Sequence, residues 1–548
     1  MARAVVQSAG ARLESRSPWL PLSQPVFRAL WTASLASNVG TWMHDASAAW
    51  LMTSLAPQPL MVSLMQTATS LPFFLLALPS GALADIVDRR RLLVVTQAWM
   101  LCAAATLGVC TLLHLTGPWT LLALTFAIGL GNALNAPAWA ATTPELVPPE
   151  QLPAAVALSS ISINVARAVG PALGGFLVAA LGTGWVFLLN ATSFLGVVTV
   201  LVRWRREVHV SSRLPPEDVP GAMRAGMRYV RHSAPLRAVL LRTAVFVVPA
   251  SALWALLPLL ARRDLGLSAT GYGLLLGCLG VGAIAGAFAL PRLRARVTSD
   301  RLVFLASLAF AGASWSVGRV GSPVLDGVVL LGGGVAWIAA MSTLNVSAQN
   351  AVPAWVRARA LAVGLLVVQG GLALGGLLWG VVATHAGIPD SMAAAAAAML
   401  AGALVTTRFA LHGLSNLDLR PDPRWTLPQT ATQLEGDEGP VLVTLEYDVD
   451  PADAPAFLSA VRRLEPIRRR DGAIRWNVYR DTEEPRRWVE TFVVESWLEH
   501  LRQHERITAN DRVVLDGARA FHRGPGGPRV RHHIAGHLGP PSSTSAAD

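Results

Sequence analysis

Gly170, Pro171, Ala172, Leu173, Gly174 and Gly175 form a stretch that returns 201 residues later as Gly371, Leu372, Ala373, Leu374, Gly375 and Gly376. Self-similarity at that distance indicates a large unit present twice, and small residues at this spacing let helix backbones approach closely. A second echo, offset by 205 residues, repeats Gly81, Ala82, Ala84, Arg89 and Arg91 as Gly286, Ala287, Ala289, Arg294 and Arg296. The halves diverged but kept their register. Between the echoes, residues 92–144, 151–202 and 327–356 contain no Asp, Glu, Lys or Arg except Arg167.

Charged residues make up 14% of the chain and hydrophobic residues 53%, against roughly 25% charged in soluble domains. This composition describes a polytopic helical membrane protein. The formal net charge of +11 sits in short loops between apolar runs and in the tail, which fits topology and anionic lipid headgroups and not nucleic acid. Cys102, Cys110 and Cys278 fall inside apolar segments without metal-like spacing and read as small core residues. No cofactor is expected. Residues 1–20 are polar and basic, with no apolar run before a cleavage site, so no signal peptide is read there.

A membrane span needs about 20 apolar residues. On that ruler twelve are expected, near 27–54, 60–84, 92–114, 119–143, 152–181 and 185–202, then 238–261, 268–290, 302–319, 326–350, 358–386 and 390–411. The predicted organisation is a disordered N-terminus (1–20), a six-helix bundle (21–204), a connector (205–236), a second bundle (237–412), a linker (413–439), a small α+β domain (440–537) and a disordered end (538–548). Arg89, Arg90 and Arg91 follow span 2, Arg203, Arg205 and Arg206 follow span 6, Arg292, Arg294 and Arg296 follow span 8, and Arg357 and Arg359 precede span 11. The loops after spans 1, 3 and 5 carry no Lys or Arg, while Arg262 and Arg263 after span 7 go against the trend. The positive-inside rule then places both termini in the cytoplasm of a cell, or inner, membrane. In the connector, Arg224, Arg228 and Arg231 recur beside Met223, Met227 and Val230, which predicts a helix lying on the inner leaflet.

Residues 81–91, Gly-Ala-Leu-Ala-Asp-Ile-Val-Asp-Arg-Arg-Arg, join spans 2 and 3. They resemble the signature Gly-x-Leu-Ala-Asp-Arg-x-Gly-Arg-Arg/Lys of the major facilitator superfamily, with Ile86 where Arg is usual and Asp88 where Gly is usual. The resemblance implies a twelve-helix, two-repeat fold and a gate latch at Gly81, Asp85, Asp88, Arg89 and Arg90; the plainer reading is loop topology. Asp85 has Leu290 as its second-half counterpart, so one strong latch is expected and not two. Gly170, Pro171, Gly174 and Gly175 resemble the superfamily's antiporter-associated motif on span 5, with Ala166 in place of its first Gly. The motif leans toward export by resemblance, and as pure packing it is silent on direction. Asn164, Arg167, Gly170 and Pro171, with the run Asn38, Gly40, Thr41 and Trp42, resemble the branch that includes bacterial enterobactin-type exporters.

Two charges stand inside spans: Asp45 alone between Ala29 and Ala84, and Arg167 alone between Gln151 and Val202. Each costs about 2.5 to 3.5 kcal/mol at a span centre on insertion scales. Measured from the inner end they lie at depths of about 27 Å and 22 Å, close enough to pair. One reading is a structural salt bridge. The other makes Asp45 a protonation site whose charge alternates with substrate, tuned by Arg167. His44 reads as a satisfied polar residue. Asn38, Asn132, Asn135, Asn345 and Gln349, with Trp42, Trp139 and Trp337 as aromatic walls, are the substrate-cavity candidates, because spans 1, 4 and 10 line the pathway in the superfamily.

The tail shows an alternating strand at Val441 to Tyr447, a helix over Pro451 to Arg469, strands at Ala473 to Tyr479 and Trp488 to Glu495, a capping box at Ser496 and Glu499, and a last apolar stretch near Val530. This order resembles a ferredoxin-like, antibiotic-biosynthesis-monooxygenase-type domain. His500 and His504 are four residues apart, but with no third ligand at a recognisable spacing they read as a solvated helix face, and no metal site is expected. The expected function is proton-coupled efflux of a small organic molecule, drug-like or siderophore-like, by alternating access. The expected partners are that molecule, protons and lipids. The alternatives are an importer of the same fold and a transporter whose tail is catalytic, regulatory or self-associating; the chain itself is not read as an enzyme.

Overall fold

The computed structural model describes residues 18–204, 219–411, 418–420 and 434–536, with the backbone alone at 78, 82, 84–86, 219, 220 and 222. Most of the expected N-terminus and linker, the last twelve residues and the side chain of Asp85 therefore lie outside the described residues. Two compact units make up the chain. One comprises Met1–Pro216, Ala238–Ser347 and Ala362–His412, and the other Glu217–Arg237, Ala348–Leu361 and Gly413–Asp548.

In the first unit, the first half consists of α1 (Pro25–Leu55), α2 (Pro59–Ile86), α3 (Arg89–Leu112), α4 (Pro118–Thr142), α5 (Leu152–Leu181) and α6 (Thr183–Arg203). After the connector helix α7 (Val219–His232) come α8 (Ala234–Arg263), α9 (Ala269–Arg296), α10 (Ser299–Val317), α11 (Pro323–Asn350), α12 (Arg357–Ala386) and α13 (Ile388–Thr406). Ten of these are long and apolar enough to cross a membrane. The other two long helices are α1, which carries Arg28, His44 and Asp45, and α10, which opens on Asp300 and Arg301; their polar residues dilute the apolar run.

Proline in the first turn opens α1, α2, α4, α5 and α13, where its missing N–H costs no hydrogen bond. Asp88, Ser268 and Thr298 cap α3, α9 and α10 by accepting from backbone N–H groups. The α5–α6 and α12–α13 turns share one geometry, with Gly182 at φ +88 and Gly387 at φ +90. That left-handed region favours glycine, and the two positions keep the 205-residue register of the second echo.

The glycine echo also does the same job twice. On α5, a Cβ at Gly170 would meet Trp42 Cβ at 2.6 Å and one at Gly174 would meet Met43 O at 2.9 Å, both on α1, whereas one at Gly175 would meet the Ala269 carbonyl on α9 of the other half. On α12, Gly371 and Gly375 face Val247, Val248 and Ser251 of α8, whereas Gly376 and Gly380 face Ser63 of α2. Each repeat packs first against its own half and then across to the other, and Thr67 Oγ1 donates to Ala373 O at 2.8 Å over the second crossing. One continuous core takes in Met52, Val62 and Phe187 from the first half and Leu253, Leu256 and Phe310 from the second.

The second unit holds β1 (Val441–Asp448), α14 (Ala454–Arg462), α15 (Glu465–Asp471), β2 (Arg475–Arg480), β3 (Arg487–Val494), α16 (Trp497–Arg506), α17 (Ala509–Arg519) and β4 (Arg529–Ile534), together with α7. The sheet order is β2-β3-β1-β4, every neighbour antiparallel, with Tyr447 opposite Trp488 and Val443 opposite both Phe492 and His532. Alternation on β1 buries Val441, Val443, Leu445 and Tyr447 on one face. The expected helix over Pro451 to Arg469 is divided into a 3-10 turn, α14 and α15. Helix α17 was not expected; its reciprocal capping box is Thr508 with Asp511, and Asp in place of Glu or Gln hides that signal. Cys102 is exposed and Cys110 and Cys278 are half-buried, so the cysteines line helix faces and are not core residues.

Candidate functional site

Asn38, Trp42 and Asp45 are spaced by four and three residues on α1, which places them on one helix face, and all three are half-buried. Asn38 Nδ2 donates to Ser162 Oγ of α5 at 3.2 Å. Above it, the guanidinium of Arg167 lies over the Trp42 ring, 5.4 Å from its centroid. The close approach of Gly170 to Trp42 brings these two residues together. Among the described residues no ion pair joins Arg167 to Asp45. The contact that Arg167 makes with α1 is the Trp42 indole, three residues before Asp45. His44 is buried with both ring nitrogens lacking a hydrogen-bond partner and packs against Phe187 at 4.6 Å. It is therefore not the satisfied polar residue the sequence suggested.

About one and a half turns beyond Asp45, toward the end of the bundle with the α1–α2 and α8–α9 turns, the halves are tied together. Trp50 of α1 stacks on Tyr272 of α9 at 5.7 Å and 19°. Arg262 of α8 lies over the Trp50 ring, 5.3 Å from its centroid, and donates to Thr53 Oγ1 at 3.0 Å. Sequence reasoning recorded Arg262 only as an exception to loop charge. It also passed over Asp326 at the start of α11, which is fully buried with neither carboxylate oxygen hydrogen-bonded.

At the opposite end, the loop after α2 fastens helices of its own half. Asp88 accepts from the Arg91 backbone N–H at 2.9 Å. Arg89 pairs with Glu145 at 2.6 Å and reaches Ala141 O, so it holds α3 to the end of α4. Arg90 donates to Leu201 O at 2.8 Å at the end of α6, where helix carbonyls favour a cation. The second half repeats the device: Arg294, the counterpart of Arg89, donates to Ser342 Oγ on α11 at 3.0 Å. Gly81 has open space where a Cβ would stand. A further fastening, absent from the sequence reading, is the pair Arg242 and Asp300 at 2.7 Å, with Arg242 also donating to Thr406 O.

The cavity candidates do not form one set. Asn135 Oδ1 accepts from Thr96 at 3.2 Å and Gln97 at 3.4 Å, so it joins α4 to α3. Trp139 packs on a cluster containing Leu30, Leu92 and Trp204. Trp337 is buried among Phe246, Trp254 and Phe310 inside the second half. Asn132 is half-buried on α4, while Asn345 and Gln349 lie on an exposed face of α11.

In the second unit, Glu490 is fully buried on β3 and satisfied by three donors: Arg468 at 3.0 Å, Trp476 Nε1 at 3.1 Å and Tyr447 Oη at 3.2 Å. Burial and the Glu490 charge push the Tyr447 hydroxyl well above its ordinary range. These groups fill the interior of the sheet with packed side chains. The connector helix is held by carboxylates: Arg228 pairs with Glu499 at 2.6 Å and Arg224 with Glu495 at 3.5 Å, while Tyr229 donates to Ala351 O at 2.9 Å. Two of the three connector arginines thus face protein, whereas Met223 and Met227 are exposed. Burial raises Glu499, and Arg506 with Arg228 more than offsets it, holding the carboxyl below its ordinary value.

The same helix, α16, carries His500 and His504, whose Nε2 atoms lie 2.9 Å apart. His532 of β4 joins them: one ring nitrogen from each of the three lies within 4.8 Å of the others. His500 is 2% exposed, so the solvated-face reading is overturned. The third imidazole comes from a strand 28 residues further along the chain, where no ligand spacing announces it. Burial, then the neighbouring histidines, brings His500 down to about 4 and His504 to about 3, and burial also lowers His532.

The family described as transmembrane secretion effector matches residues 16–538, through the sheet of the second unit. An uncharacterised MFS-type transporter of Bacillus subtilis is 27% identical over 332 residues, 57% of this chain and 74% of the relative. The staphyloferrin A transporter of Staphylococcus aureus is 23% identical over 361 residues, covering 65% and 89%. The enterobactin exporter of Salmonella typhimurium is 28% identical over 329 residues, covering 59% and 76%. Among solved structures, a bacterial homolog of the human lysosomal transporter Spinster, inward-facing and occupied, aligns with a TM-score of 0.57 at 16% identity over 71% of this chain and 98% of that one. A bacterial homologue of the iron transporter ferroportin, inward-facing, aligns with a TM-score of 0.54 at 18% identity, covering 72% and 99%. These two likenesses concern the fold.

Proposed function

Because the chain belongs to the transmembrane secretion effector family of major facilitator transporters, we propose that it is a proton-coupled exporter of a small amphipathic molecule, siderophore-like or drug-like. In this reading all twelve long helices span the inner membrane, both termini are cytoplasmic, and the second unit is a ferredoxin-like cytoplasmic domain. The observation that carries it is Asp45: the one charge between Ala29 and Ala84 is half-buried on a polar face of α1, five residues before the Trp50 whose stacking ties the halves. A charge kept at that depth is a functional residue by default.

The inter-half cluster supplies the other half of the mechanism. With the positive-inside orientation it lies at the outer end, so this conformation is closed outside. An aromatic pair is worth about 1 kcal/mol, a cation–π contact about 1 kcal/mol and a hydrogen bond about 1 kcal/mol. Together they hold the outer side shut by on the order of 3 kcal/mol, a bias of about 150-fold. Outward opening separates Trp50 from Tyr272 and Arg262, releases substrate and exposes Asp45 to external protons. Protonation removes the Asp45 charge, the seal re-forms, and the proton leaves toward the cytoplasm as the next substrate binds. One proton enters for substrate that leaves.

Export is favoured over import by the resemblance of the span 5 motif and by a relative named as an enterobactin exporter. A regulatory tail is favoured over an oxygenase by the packed interior around Glu490 and by the arginines that bind the connector to Glu495 and Glu499. The test is transport in everted vesicles energised with an acidic lumen, using a panel of siderophores and amphipathic drugs. Accumulation that collapses with the proton gradient supports the reading; accumulation only in right-side-out vesicles makes the protein an importer.

A further inference from the structure

We propose that His500, His504 and His532 form a binding site for a first-row divalent cation of Zn2+ character. The two α16 histidines sit one helical turn apart and present their rings to each other, 4.5 Å between centroids. His532 closes the triangle from β4, its ring 4.7 Å from that of His500. Trp497 forms an apolar wall, 5.3 Å from His500 and edge-on to His532 at 5.9 Å.

The donor set selects the metal. Three imidazoles without a carboxylate or thiolate suit Zn2+, Cu2+, Ni2+ or Fe2+, not Mg2+ or Ca2+, which require oxygen. Three protein ligands leave a fourth tetrahedral position open. With metal–nitrogen bonds of about 2.0 Å, tetrahedral ligands lie about 3.3 Å apart. The 2.9 Å between the two Nε2 atoms and the 4.8 Å limit for the trio bracket that value, so small rotations of the rings suffice. The ligand atoms converge inside the fold: the Nε2 atoms of His500 and His504 meet at 2.9 Å, a nitrogen of His532 completes the group, and His500 is buried. Three imidazoles gathered there have given up solvent, and a shared cation engages a lone pair of each.

The site also has a built-in readout. β4 is the edge strand of the sheet, pairing with β1 alone, and an ion at the trio fastens it to α16. Glu499, next to His500, holds Arg228 of the connector and Arg506. An ion that fixes α16 therefore also fixes the anchor of the connector, and Ser233 alone separates the connector from α8 in the chain. We assign the site to metal-dependent control of the tail, independent of which molecule is transported.

The experiment uses the full-length protein in detergent, stripped with EDTA and titrated with Co2+, whose visible absorption reports tetrahedral nitrogen ligation, then displaced by Zn2+. One equivalent is expected, with Zn2+ raising the melting temperature. His532→Gln and His504→Gln should each weaken binding by more than about 100-fold, while His533→Gln, on the exposed neighbour, leaves it unchanged. Absence of a stoichiometric equivalent in the unaltered protein overturns the proposal regardless of how the variants fold. Equal binding by the His500→Gln, His504→Gln, His532→Gln triple variant, its fold checked by circular dichroism, also overturns it. Export that fails while Co2+ still binds rejects the transport reading and leaves this site standing.

Discussion

Replacing Gly175 with Ala adds one methyl group to the contact between α5 and α9. A Cβ there would meet the Ala269 carbonyl oxygen, its carbon at 3.1 Å and Gly273 Cα at 3.1 Å. All three are backbone atoms of the other half, so no rotamer relieves the clash and the helices must separate. Overpacking of this kind costs about 1 to 3 kcal/mol. The cost falls on the conformation in which α5 and α9 touch, so the ratio of closed-outside to open-outside protein should fall by about 5- to 150-fold. Met52, fully buried among the described residues near the outer cluster, supplies the probe. In a background with Cys102, Cys110 and Cys278 replaced, a Met52→Cys reporter should react with a membrane-impermeant thiol reagent faster in the Gly175→Ala protein, by at least the lower factor. Gly196→Ala is the control, because nothing lies within 4 Å of its Cβ. Equal labelling rates for the two alanine variants would refute the assignment of this contact as a state-dependent seal.

Arg262→Ala removes both the contact with Trp50 and the hydrogen bond to Thr53, and should raise Met52→Cys labelling about 5- to 30-fold, the equivalent of about 1 to 2 kcal/mol; an unchanged rate would place the outer seal elsewhere. Arg468→Ala leaves Glu490 buried without its charge partner, which costs about 3 to 5 kcal/mol, so amide exchange in β1 and β3 should accelerate while exchange in α1 to α6 does not; intact protection of both strands would contradict the role given to that pair. Arg228→Ala breaks the pair with Glu499 and should speed exchange over Val219–His232; no change there would mean that the exposed methionines, and not the arginines, hold the connector.

The halves were legible because a repeat and a run of uncharged residues are properties of contiguous sequence. Helices such as Leu152–Leu181 fall where hydropathy placed them, and the glycine echo correctly announced close backbone packing. What the echo could not announce was that Gly170 and Gly174 face α1 while Gly175 faces the other half, because that depends on helical phase. Asp45 and Arg167 were conspicuous as charges, but depth alone could not show that Arg167 contacts the indole of Trp42. Arg262 and Asp326 were hidden by position, since each lies at a helix end where a charge normally needs no explanation. His532 was invisible for another reason. Its partners lie on a different element, and only the β1–β4 register carries it to α16. Trp337, chosen for its span, is buried in an aromatic cluster because helix phase turned it inward.

The central claim is that Asp45 carries the proton, and its most direct test is substrate-driven proton release. In proteoliposomes at matched expression and verified folding, the unaltered protein should move protons against substrate, with both fluxes showing the same pH dependence. Asp45→Asn should still bind and exchange substrate down its gradient while proton movement and uphill export disappear. Proton-coupled uphill export retained by Asp45→Asn would contradict the account.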